Sequence, residues 1–177
     1  MGGMVGCLLI KNKRRYLFTT EGTDFWFGFM DNDNAAAIEV YVSARQTAIV
    51  TIQAAGVGLD QTVTVQGSTT ELISVPLSLM PGAEGRFNMG IHLFSDTPVS
   101  VYTLNKRQFS ADAAVILPTN VLGQEYYVMA HVEPPGDRVQ SSLESEFLIV
   151  ATEDATEIEF TPSATTHGGL PANIPHR

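Results

Sequence analysis

The sequence predicts an all-β protein, an antiparallel β-sandwich of jelly-roll type with about eleven or twelve short strands. Three observations carry that expectation. Apolar residues alternate with polar ones through almost every apolar stretch, which is the period of a strand with one buried and one wet face. Gly, Pro, Asn, Asp or Ser fill almost every gap, at intervals of about 10–15 residues. No window places apolar residues at i, i+3, i+4 and i+7 over three turns, and the best helical candidate, Asn34 to Ala37, is too short to stand alone.

In chain order, the run Phe25 to Met30 is apolar on both faces and predicts a central strand covered on both sides. Alternation within it sends Phe25, Phe27 and Phe29 to one face, expected to be core, and Trp26 to the other, where an exposed ring suits a carbohydrate. Ile38, Val40 and Val42 alternate with Glu39, Tyr41 and Ser43, and Val63 and Val65 alternate with Thr62, Thr64 and Gln66. Ile73, Val75 and Leu77 lead to a Pro81-Gly82 turn. In Gly90-Ile91-His92-Leu93-Phe94, Ile91 and Leu93 share a face and His92 takes the other. Phe147 to Ala151 predicts a second two-sided strand, and Ile158 and Phe160 alternate with Glu157, Glu159 and Thr161.

Three segments share one layout of strand, short polar turn, Thr and second strand: Val40 to Ile52, Ile91 to Tyr102, and Phe147 to Phe160. Each predicts a hairpin, with Arg45-Gln46, Asp96-Thr97 and Glu153-Asp154 at the tips. If the hairpins are arranged alike, Arg45, Asp96, Glu153 and Asp154 gather as a mostly acidic loop site; the ordinary alternative is that the tips only turn the chain.

The domain expectation is an N-terminal extension over 1–15, a β-sandwich domain over 16–162, and a loop or linker over 163–177 that is open to continuation in a longer chain. Cys7 is the only cysteine among 177 residues, so neither an internal disulfide nor a cysteine-based zinc site is available. The apolar run Met4 to Ile10 is far below the ~20 residues that cross a bilayer. Its basic cluster, Lys11 to Arg15, follows rather than precedes it, so the run is not a complete secretory signal. Membrane insertion is not expected.

Charge narrows the partners. The formal charge is −9, from 10 basic and 19 acidic residues, and four of the bases lie in Lys11 to Arg15. So acidic a surface repels phosphate backbones, and nucleic acid is excluded as an expected partner. Catalytic signatures are missing. There is no Gly-x-Ser-x-Gly elbow, no His-Glu-x-x-His and no phosphate loop opening a helix. The pairs Glu144/Glu146 and Glu157/Glu159 share strand faces, as a solvated acidic surface does. A non-enzyme without a cofactor is expected. The one cluster with metal-like chemistry is Asp31-Asn32-Asp33-Asn34, in which Asp31 and Asp33 offer oxygens suited to Ca²⁺. The competing local account is a polar turn, since Asp and Asn bond their own backbone.

An ordered series of short pieces resembles the domain named after the amino-terminal region of IgGFc-binding protein. It begins with Gly22-Thr23-Asp24-Phe25-Trp26-Phe27-Gly28-Phe29-Met30 and Asn32. It continues through Ile91, Ser95-Asp96 and Pro98-Val99-Ser100-Val101-Tyr102, then Asp112-Ala113, Leu117-Pro118 and Leu122-Gly123-Gln124-Glu125-Tyr126. Phe147, Val150-Ala151-Thr152, Asp154, Thr156, Ile158 and Thr161-Pro162 complete it. The likeness runs from about Thr20 to Pro175. It implies an extracellular or cell-surface β-rich module of larger proteins, usually bacterial, regarded as adhesion or surface-structure proteins. The mucosal member is associated with immunoglobulin Fc and mucus; no residue here carries Fc binding over, and the family supplies no catalytic residues. The expected function is a binding or adhesion module for a glycoconjugate or protein, with self-association allowed. The alternative is a structural subunit of a surface filament or layer.

Overall fold

The computed structural model describes residues 19–32, 35–129, 146–166 and 168–177. Within them the regular structure is seven strands and three single 3-10 turns. The strands are β1 (Glu21–Phe27), β2 (Ala37–Ala44), β3 (Ala48–Ala54), β4 (Leu59–Val65), β5 (Thr69–Val75), β6 (Ile91–Arg107) and β7 (Ser110–Ile116). The all-β, antiparallel expectation holds. The strands join one hydrogen-bonded sheet rather than two separate ones, because β6, 17 residues long, runs through all of it.

Register shows how β6 organises the molecule. Leu93 pairs with both Phe25 and Ile52, so β1 and β3 occupy opposite edges of its first half. Val101 pairs with both Val42 and Ile116, so β2 and β7 occupy opposite edges of its second half. β4 pairs outside β3, and β5 outside β2. The first half of the sheet is therefore β4-β3-β6-β1 and the second is β5-β2-β6-β7.

Two predicted hairpins are corrected by this register. β2 and β3 do not pair with each other; they follow one another along the same edge of β6. The turn at Ser43 to Thr47 fails to reverse the chain because Ala44 and Ala48 each find partners on neighbouring strands, Thr69 and Val65. Five residues (45–49) stand opposite three of β6 (96–98) there, a local excess that bends the sheet. Ile91 to Tyr102 is likewise one continuous strand, with Ser95-Asp96-Thr97 inside it.

The strand count is lower than expected because the later apolar runs do not pair. Phe147 to Ala151 forms no strand; Leu148 and Val150 instead lie against Gly28, where a Cβ would meet Leu148 Cδ2 at 2.8 Å. The third predicted hairpin is thereby lost. Phe160 makes a single antiparallel bridge to His176, which folds the end of the chain back onto 159–162. Leu77 lies in a 3-10 turn, since Pro76 cannot donate to a ladder.

Alternation holds inside the strands. Ile38, Val40, Val42 and Ala44 of β2 point inward, as do Ala48, Val50, Ile52 and Ala54 of β3 and Ile91, Leu93, Val99 and Val101 of β6. Phe25, Phe27 and Phe29 join them, so the inner faces of both halves feed one hydrophobic cluster. β1 is not the two-sided central strand the sequence suggests. Its strand partner is β6 alone, it ends at Phe27, and Met30 is exposed.

Candidate functional site

The outer face of the first half concentrates aromatic and polar side chains. Since β1, β3, β4 and β6 place their odd or even residues in register, two rows cross the four strands. One row is Trp26, His92, Gln53 and Asp60; the next is Asp24, Phe94, Thr51 and Thr62. At the usual spacing of ~4.8 Å between strands, each row spans about 14 Å.

The aromatic centre of this face is layered. The Trp26 and His92 rings stack with centroids 4.3 Å apart and planes 7° apart, and the Phe94 ring tilts against His92 at 5.1 Å. Trp26 is half-buried in this stack, while Phe94 keeps 37% of its surface open. The polar groups are hydrogen-bonded to neighbours and therefore held in place. His92 Nε2 lies 2.7 Å from Asp24 Oδ2, and the Thr119 hydroxyl donates to Asp24 Oδ1 at 2.5 Å. Burial by itself raises the affinity of the Asp24 carboxyl for a proton; the bonds from His92 and Thr119, with the charge of His92, outweigh it and hold the pKa below the ordinary carboxylate value. Opposite, Gln53 Nε2 donates to Asp60 Oδ1 at 3.2 Å, and the Thr51 and Thr62 hydroxyls share a bond of 3.0 Å.

The predicted site residues divide. Trp26 lies on this face. Asp96 continues it along β6 toward the bend, where its Oδ1 accepts the Ile49 amide at 2.9 Å. Arg45 lies at the same bend: the Thr97 hydroxyl reaches the Thr47 carbonyl, and Arg45 Nε donates to Glu21 Oε1 at 2.6 Å. Arg45 is 84% exposed, so that ion pair adds little stability. Arg45 and Asp96 thus come to one region, although not at hairpin tips. Glu153 and Asp154 sit in an irregular exposed turn in which the Thr156 hydroxyl donates to the Glu153 carbonyl, and no hydrogen bond or ion pair among the described residues ties them to the bend.

At the suggested metal cluster, the Asp31 carboxylate accepts the Asn32 amide at 2.8 Å, and Asn32 Nδ2 donates to Asn105 Oδ1 at 3.1 Å. Asp33 lies outside the described residues, as do Cys7, His131, Glu144 and His167. Among the described residues no group of three His, Cys, Asp or Glu side chains converges.

Asp24, His92, Phe94, Thr51, Gln53, Asp60 and Thr62 belong to the candidate site, although inspection of the sequence did not select them. Their alternation was legible; the register that aligns four separate strands was not.

The outer face of the second half differs. Leu72, Tyr41, Tyr102 and Val115 form one row across β5-β2-β6-β7. Beside it, Lys106 Nζ donates to Glu39 Oε1 at 2.9 Å and the Tyr41 hydroxyl donates to Glu39 Oε2 at 2.8 Å. Those two bonds, Lys106 first, hold the Glu39 carboxyl below its ordinary pKa, and Glu39 in turn raises Lys106 and Tyr41.

A family model described as IgGFc binding protein matches residues 112–176, from β7 to the terminal bridge. The resemblance noted along the chain is thereby supported for its later pieces, Asp112-Ala113 to Thr161-Pro162; the earlier pieces, Trp26 among them, lie outside the match. The matched family is a binding domain, typically of extracellular proteins, and is not known as an enzyme. No curated protein and no solved structure matches the chain. Among the described residues no helix is long and apolar enough to cross a membrane.

Proposed function

We propose that this chain is a non-enzymatic binding or adhesion module of an extracellular, cell-surface protein, and that its ligand is a glycoconjugate or a protein. The match to a binding family over 112–176 carries the proposal. The outer face around Trp26 and Phe94 supports it, because that face combines open aromatic surface with fixed polar groups, as binding sites do. Asp96 and Arg45 extend this face to the bend; Glu153 and Asp154 form a separate exposed turn. A Ca²⁺ at Asp31 and Asp33 belongs to the same proposal as an accessory ion. The test is a glycan and mucin array, with immobilised immunoglobulin and mucin proteins, screened with the whole chain with and without Ca²⁺. Reproducible capture of one ligand class supports the function. A blank array in both conditions refutes it.

A second function is favoured by a separate observation. Leu72, Tyr102 and Val115 are exposed on one sheet face, and residues 111–115 of β7 are exposed. Unprotected edges and apolar faces suit a self-associating subunit of a filament or layer. Concentration-dependent assembly in light scattering, with no ligand on the array, selects that function instead.

A further inference from the structure

We infer that the face bounded by Asp24, Trp26, Phe94, Thr51, Gln53 and Asp60 binds an uncharged saccharide. This rests on the binding function proposed above and names its ligand class and its place.

The chemistry of the face selects the ligand. Phe94 offers open ring surface on an inner strand of the sheet, backed by the His92 and Trp26 rings. The C–H face of a pyranose packs on such a surface, and an amphipathic ring loses little conformational entropy in doing so. Around the rings stand acceptors at Asp24 and Asp60, an amide at Gln53, and hydroxyls at Thr51 and Thr62. Asp24 makes two bonds to neighbours and the others one each, and all retain lone pairs or protons for a further bond. An apolar partner laid on this face would strip water from those groups without replacing it, at a cost for each. A hydroxyl-rich partner replaces the water with its own donors and acceptors.

Charge narrows the class further. Asp24 and Asp60 flank the rings and Asp96 lies next along β6, whereas no Lys or Arg stands in either row. Carboxylate or sulfate on a sugar meets like charge there. A basic sugar is not required either, since Asp24 is engaged by His92 and Thr119, and Asp60 by Gln53. Two rows about 14 Å wide accommodate two or three linked rings.

The experiment is an amide and indole NMR titration of the whole chain with uncharged di- to tetrasaccharides of the chito-, cello-, manno- and N-acetyllactosamine series. A sialylated lactosamine and a de-N-acetylated chitotriose serve as the charged arms. At least one uncharged series is expected to shift the Trp26 indole and the amides of Thr51, Gln53, Thr62 and Phe94, with the sialylated arm silent. Phe94→Ala is expected to weaken that binding about 3- to 10-fold, as a lost aromatic contact does. Phe109→Ala, at a ring 91% exposed in the β6–β7 turn, leaves it unchanged. Thr51→Val, which keeps shape and removes a hydroxyl, is the second variant and also weakens binding.

Silence across all uncharged series overturns the inference, as does a stronger response to the sialylated arm. If the array finds a ligand whose shifts map elsewhere, this inference fails while the binding function stands. If the array is blank, the function itself fails. Shifts of the same residues on concentrating the protein without sugar identify a second copy as the occupant and also overturn it.

Discussion

Phe27 and Asp24 are neighbours in one strand whose energetics differ in kind. Phe27 points inward, is 4% exposed and meets the Phe29 ring edge-on at 6.4 Å. Phe27→Ala leaves a cavity in a cluster that has no helix to relax into it, and is expected to cost about 3–5 kcal/mol in denaturant unfolding. Asp24 points outward and its contribution is electrostatic. Because its folded pKa lies below the unfolded value near 3.8, its stabilisation is present above that pH and is lost as pH falls through the folded value. Asp24→Asn is expected to lower stability by about 1 kcal/mol at neutral pH, the low end for a charge-assisted bond because the carboxyl is partly solvated. Unfolding curves of the two proteins should converge below about pH 4, the model-compound range for Asp. A constant difference down to pH 2 would show that the His92 and Thr119 bonds are not what matters there.

Among the elements, β6 has the widest influence. It pairs along both edges, with β3 and then β2 on one and with β1 and then β7 on the other. That gives the outer face of the first half its common register, and it explains why a 17-residue strand survives with Pro98 inside it, at the bend where 96–98 lack partners on β2 and β3. The β3–β4 connection is the second control point. It turns through a 3-10 segment at Ala55–Val57 and closes at Gly58, which has φ +68° and so suits glycine. Its Gly56 packs against the backbone carbonyl of Asn88, in the loop before β6, leaving no room for a Cβ. Gly56→Ala is expected to destabilise by about 1–3 kcal/mol, since backbone must move to admit the methyl. Thermal unfolding measures it, and an unchanged melting temperature would place the two loops further apart than they stand here.

For the whole molecule, the matched family segment and the sheet overlap, among the described residues, only at β7. The described part of 112–176 holds residues 112–116 of β7, a 3-10 turn and the Phe160–His176 bridge, whereas the strand that pairs with β7 lies upstream. A strand without its ladder cannot hold its backbone groups against water. The isolated segment 112–177 is therefore expected to show no cooperative unfolding transition by circular dichroism, while the whole chain shows one. A cooperative transition in the isolated segment would make it an independent domain.

The class of structure and the inward-facing set are legible in the order of residues alone. Alternation is a local property: once Ile38, Val40 and Val42 or Phe25 and Phe27 lie in extended backbone, period 2 assigns them a common face, and burial of that face follows. It also placed Trp26 and His92 opposite that face. Which runs find a ladder depends on how the chain folds in three dimensions. Tyr126 to Met129 and Phe147 to Ile149 are patterned much like true strands yet stay unpaired and exposed, because pairing depends on partners distant in the chain. The same dependence hid the candidate site. Trp26, His92, Gln53 and Asp60 are scattered over 67 residues, and they meet in one row through hydrogen-bond registers that no short stretch of sequence encodes.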